Sequence, residues 1–140
     1  MHQPPEKSCT VLTGVIGEDV HIIGIRIVEH VLRQAGFNVV PLGAQVSQEE
    51  FLEAAIETNA SAILVSSLSG HAAILCEGLR EKCLEAGLDH VLLYLGGQLI
   101  IGDCDWSKVV EKFRALGFDR VYPPDLDLND LIADLTKDCS

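Results

Sequence analysis

Residues 11–42 read VLTGVIGEDVHIIGIRIVEHVLRQAGFNVVPL. The apolar run at 11–16 predicts a first strand, and 22–35 follows with Ile23, Ile27, Val31 and Leu32 at helical spacing. Gly36 predicts the stop of that helix, and 37–42 is a second apolar run. The same alternation continues along the chain. Ser47 and Glu50 have the spacing of a capping box, opening a helix that carries Phe51, Leu52, Ala55 and Ile56. Residues 62–66 are almost wholly apolar, as a strand covered on both faces should be. A helix over 71–86 stopped by Gly87, a strand at 91–95 and a helix over 106–116 closed by Gly117 come next. A short strand at 120–122, ended by Pro123-Pro124, and a helix over 128–136 complete the pattern.

Five strands alternating with five helices predict an α/β domain, a doubly wound parallel sheet with right-handed crossovers and helices on both faces. The expected strand order is 2-1-3-4-5, that of flavodoxin-like (Rossmann-like) sheets. One domain over 10–138 is expected, with 1–9 as a flexible N-terminus. A length of 140 residues suits a single ordinary core. Lys and Arg number 10 against 21 Asp and Glu, a net charge of -11 that repels polyanions. Nucleic acid and anionic membrane surfaces are therefore not expected partners. No apolar run approaches the roughly 18 residues of a membrane span, and the first residues lack the apolar core of a secretory signal. Cys9, Cys76, Cys83, Cys104 and Cys139 are an odd set with no C-x-x-C pair, which predicts reduced thiols and a cytoplasmic protein.

In such a sheet a ligand sits beyond the carboxyl ends of the strands, near the switch point between the first and the third. The first loop there is Gly17-Glu18-Asp19-Val20-His21-Ile22-Ile23-Gly24. It is neither the G-x-G-x-x-G of dinucleotide folds nor a P-loop. Glu18 and Asp19 would oppose a flavin phosphate. The acidic third-strand end and the Lys after the fifth strand of a receiver domain are replaced by Ser66-Ser67 and Tyr122-Pro123. What remains is an Asp two residues before a His. A histidine ligates metal through one ring nitrogen while the other donates to a carboxylate, although the same pair also suits a solvent-facing loop. One His and one carboxylate do not complete a protein-only zinc site, whereas a metal held in a macrocycle needs one protein ligand.

Gly24 lets a bulky group pass close to the backbone, or serves helix–sheet packing. Ser66-Ser67-Leu68-Ser69-Gly70 offers hydroxyls to a heterocycle, or caps the helix that follows. Gly96-Gly97-Gln98-Leu99-Ile100-Ile101-Gly102 leaves room for a ligand chain across exposed N–H groups, or forms an ordinary turn.

Together these loops spell D-x-H-x-x-G (Asp19, His21, Gly24), S-x-L (Ser66, Leu68) and G-G (Gly96, Gly97), with 41 and 27 residues between them. This resembles the cobalamin-binding domain shared by adenosylcobalamin-dependent mutases and methionine synthase. The stretches 14–17 (GVIG), 35–40 (AGFNVV), 54–58 (AAIET), 78–83 (GLREKC) and 117–123 (GFDRVYP) carry the likeness further. They look like the small (sigma) subunits of glutamate mutase, also called methylaspartate mutase, and the likeness spans residues 10–135.

The resemblance implies adenosylcobalamin bound base-off and His-on. His21 would be the cobalt ligand, with Asp19 holding its imidazole and Glu18, Val20, Ile22 and Gly24 around it. The displaced dimethylbenzimidazole and its nucleotide tail would enter a slot between sheet and helix. Ser66 would bond the base, with Ser67 and Leu68 beside it. Gly96, Gly97, Gln98, Leu99, Ile100, Ile101 and Gly102 would line the tail. The enzyme so implied is an isomerase that interconverts L-glutamate and 3-methylaspartate by a radical carbon-skeleton rearrangement. Its substrate groups would lie on a separate, larger barrel-type catalytic subunit, leaving no catalytic residue on this chain. The alternatives are a corrinoid carrier or non-catalytic cobalamin-binding module, and a mutase subunit for another small acid. The sequence begins at its first strand without the helical bundle of corrinoid carriers, which favours the mutase subunit over the carrier. The sequence departs from the family in three places. Ser69, His71, Ala72 and Ala73 stand where an aromatic and polar run is usual, Gln98 stands for Asn, and Val15 stands where some mutases have Lys.

Overall fold

Every residue of the first strand, β1 (Thr10–Val15), is buried, because it runs between two neighbouring strands and under helices on both faces. The computed structural model describes residues 9–17, 23–67, 72–97, 105–123 and 125–139. The other strands are β2 (Asn38–Pro41), β3 (Ala62–Ser67), β4 (Leu92–Gly97) and β5 (Arg120–Val121). All pair in parallel, in the order β2-β1-β3-β4-β5, the flavodoxin-like order expected. The described helices are α1 (Ile23–Gln34), α2 (Gln48–Thr58), α3 (Ala72–Cys76), α4 (Leu79–Glu85), α5 (Trp106–Ala115) and α6 (Leu128–Cys139).

Helices α2 to α5 cover one face of the sheet, where Phe51, Cys76, Leu79 and Phe113 pack on Leu12, Ile63 and Leu93. Helices α1 and α6 cover the other, where Leu32, Leu131 and Leu135 pack on Val11, Leu64 and Tyr94. The capping box is present: Glu50 N donates to Ser47 Oγ at 3.1 Å and Ser47 N to Glu50 Oε1 at 3.2 Å. Among the described residues no helix is long and apolar enough to cross a membrane.

Three expectations need correction. The stretch 71–86, expected as one helix, is interrupted between α3 and α4, where Gly78 takes a left-handed φ of 84°. Gln48 Nε2 donates to the carbonyls of Leu75 (2.6 Å) and Glu77 (2.9 Å), satisfying groups that the broken helix leaves unpaired. The buried stripe of α1 is also rotated from the expected one. Ile27 is 54% exposed, whereas Ile25, Glu29 and Leu32 are buried. Glu29, 1% exposed, occupies a core position because Thr13 Oγ1 on β1 donates to its carboxylate. Finally, Gly96 and Gly97 belong to β4 itself. They pair with Ser66 and Ser67, and Ser66 pairs in turn with Val15. The central strands therefore reach further toward the carboxyl edge than apolar runs alone indicate.

Candidate functional site

At that edge a slot of about 350 Å³ opens between α1 and α6, within the size range of small-molecule sites. Helix α1 supplies Gly24, Ile25, Ile27 and Val28. The floor is Leu64, Val65 and Ser66 of β3 with Tyr94, Leu95, Gly96 and Gly97 of β4. Tyr122, Pro123, Leu126, Leu128 and Leu131 form the far wall.

Four residues singled out in the sequence meet here: Gly24, Ser66, Gly96 and Gly97. Ser67 is buried, and strand alternation turns its side chain to the opposite face. Glu18, Asp19, Val20, His21, Ile22, Leu68, Gln98, Leu99, Ile100, Ile101 and Gly102 lie outside the described residues. Two of the glycines have different physical roles. A Cβ on Gly24 would meet nothing within 4 Å, so space beside the first turn of α1 is open. Gly97 has φ +106° and stands against the Ser67 backbone, a place only glycine fits.

The lining is largely apolar, with hydroxyls on Ser66, Tyr94 and Tyr122. Tyr94 donates its hydroxyl to Asp138, and Tyr122 donates to Asp134 at 2.7 Å. Their rings meet edge to face, with centroids 5.7 Å apart. Burial first, and then the bonded carboxylate, pushes both phenols far above their ordinary titration range, so both remain donors. Arg120 Nε and Nη2 donate to Asp138 at 2.8 and 3.1 Å, and its Nη1 lies 3.4 Å from Asp134. The bond from Arg120 holds the Asp138 carboxyl below the usual aspartate range. With both phenols committed as donors, Ser66 has the one hydroxyl among the described lining residues that is left to donate to a ligand. The slot suits a flat, mostly apolar group with one hydrogen-bonding edge.

The aromatic wall was not legible in the sequence. Tyr94 reads as an ordinary core residue of a strand, and its partner Asp138 is 44 positions away. The available signal was the pair Asp134 and Asp138, four apart on one helix. Among the described residues no three His, Cys, Asp or Glu side chains come together as a protein-only metal site requires.

Residues 9–119 match the family model described as B12 binding domain. A protein of Carboxydothermus hydrogenoformans named glutamate mutase sigma subunit is 55% identical over 132 residues, covering 94% of this chain and 96% of that one. A protein of Clostridium tetanomorphum with the same name is 51% identical over 128 residues, covering 91% and 93%. Among solved structures, a cobalamin-binding protein from Desulfitobacterium hafniense superposes with a TM-score of 0.76 at 18% identity. This chain spans 60% of that longer one, and the likeness is one of fold.

Proposed function

Because the chain belongs to the B12-binding domain family and, within it, to the glutamate mutase sigma subunits, we infer that the slot receives the nucleotide tail of cobalamin. Its function is that of the cobalamin-binding component of an isomerase, glutamate mutase. The observation that carries the reading is convergence. Gly24, Ser66 and Gly96-Gly97, from three motifs far apart in sequence, border one cavity at the switch point.

The fit is chemical as well as spatial. Dimethylbenzimidazole is flat and apolar apart from its ring nitrogen, and the slot offers apolar walls with the Ser66 hydroxyl at the strand end. In this arrangement His21 would ligate the cobalt, and Asp19 would accept from the other ring nitrogen, fixing the tautomer and raising the basicity of the ligating one. The proposed cofactor state is adenosylcobalamin, base-off and His-on. When bound, it supplies a homolysable cobalt–carbon bond, the radical source for interconverting L-glutamate and 3-methylaspartate. The residues of this chain hold, orient and shield. Glu18, Val20 and Ile22 would flank the ligand histidine, Leu68 would pack beside the base, and residues 98–102 would continue along the tail. Substrate groups belong to a larger barrel-type catalytic subunit. A cytoplasmic location accords with the free thiols of Cys9, Cys76, Cys83 and Cys139.

On binding adenosylcobalamin the unsubstituted protein should keep cobalt nitrogen-ligated, now through His21, whereas His21→Ala should give the absorption spectrum of cobalt without a lower nitrogen ligand. Failure of the unsubstituted protein to retain adenosylcobalamin on gel filtration, or a nitrogen-ligated spectrum in His21→Ala, overturns the reading. Asp19→Asn should keep the fold and lower affinity or activity by about 10–100-fold. Mixing with the large subunit of a glutamate mutase should convert glutamate to 3-methylaspartate. Binding without turnover alongside any such subunit points instead to a non-catalytic corrinoid module.

A further inference from the structure

Helix α6 carries two kinds of residue. Leu128 and Leu131 face the slot, while Asp134 and Asp138, further along, bond the two tyrosines. Neither aspartate is among the slot's lining residues. Both border a separate cavity of about 430 Å³ at the β5 edge, which Tyr122 shares with the slot. Arg120 joins the two carboxylates from between, 2.8 Å from Asp138 and 3.4 Å from Asp134.

The slot is the gap between α1 and α6, so its width depends on where each helix rests on the sheet. Helix α1 is tied to β1 through Glu29 and Thr13. Helix α6 is tied to β4 through Asp138 and Tyr94, and to the residue after β5 through Asp134 and Tyr122. The same bonds stop the two rings from turning, and those rings are part of the slot's surface. A wall that is ordered beforehand spares the ligand the cost of ordering it.

We propose that Asp134 and Asp138 are positioning residues for the nucleotide tail, holding Tyr94, Tyr122 and α6 so that the slot has its working width before the ligand enters. The proposal rests on the cobalamin reading above. It predicts a defect confined to ligands that possess the tail.

The test compares aquacobalamin with cobinamide, the same corrin lacking the nucleotide tail, by absorption titration of the full chain. Asp134→Ala combined with Asp138→Ala should weaken cobalamin binding about tenfold or more, the scale of losing charge-assisted hydrogen bonds, and change cobinamide binding by about twofold at most. Tyr94→Phe combined with Tyr122→Phe keeps both rings, removes the bonds, and should show the same split. It decides the matter if the aspartate variant fails to fold. Equal losses for the two ligands, or no loss for either, overturn the proposal and leave the cobalamin reading standing. Absence of cobalamin binding by the unsubstituted chain overturns both.

Discussion

A Cβ on Gly97 would lie 2.2 Å from the carbonyl oxygen of Ser67, its partner in the β3–β4 ladder. The φ of +106° adds strain for any L side chain at the same place. We predict that Gly97→Ala destabilises the fold by more than about 1 kcal/mol, because alanine is incompatible with both the conformation and the space. The tips of β3 and β4 must separate to admit it, so cobalamin affinity should fall as well. Urea denaturation and spectral titration measure the two effects. An unchanged midpoint would mean that the strand tips do not meet as described.

Gly24 should behave in the opposite way. Its Cβ direction is open, and it stands in the first turn of α1 beside the slot. Gly24→Ala should therefore stabilise the empty protein, by up to about 0.5–1 kcal/mol from helix propensity. It should at the same time weaken cobalamin binding by occupying space the ligand needs. A variant that is more stable and binds normally would remove Gly24 from the ligand's surroundings.

The buried pair of Thr13 and Glu29 is open to a double-mutant cycle. Glu29 Oε1 has no partner among the described residues, and Oε2 accepts from Thr13. Thr13→Val strips the last bond from a buried carboxyl and should cost about 1–3 kcal/mol. Combining it with Glu29→Met replaces both polar groups with apolar ones and should recover most of that loss. Strictly additive effects in urea denaturation would show that the two residues are not coupled.

Burial pushes the Cys76 thiol up to about 12, and raises Cys83 too, with Arg80 acting in the opposite sense on the latter. Raising an acid's pKa in the folded state favours its neutral form there. The stability gained is complete below the ordinary thiol value near 9 and is lost as pH rises from there toward about 12. Urea midpoints should accordingly decline between pH 9 and 11, and the decline should shrink in Cys76→Ala. At pH 8, iodoacetamide should spare Cys76 and Cys83 until the chain is unfolded, as peptide mass spectrometry can show.

The sequence by itself determined the order of elements and the strand topology they imply. Apolar runs, helical spacing and the Ser47–Glu50 cap are properties of neighbouring residues, and strand and helix formation respond to those directly. Through its motifs it also named Gly24, Ser66 and Gly96-Gly97, which the fold gathers around one slot. Tertiary structure alone decided which stripe of α1 turns inward, because the place of Glu29 depends on a hydroxyl 16 residues earlier. It alone broke the helix at Gly78, where Gln48 reaches across from α2. It also built the far wall of the slot from Tyr94, Tyr122 and α6. The bonds that set that wall join residues 12 and 44 positions apart, and no local period encodes a contact made only when strands and helix have already packed.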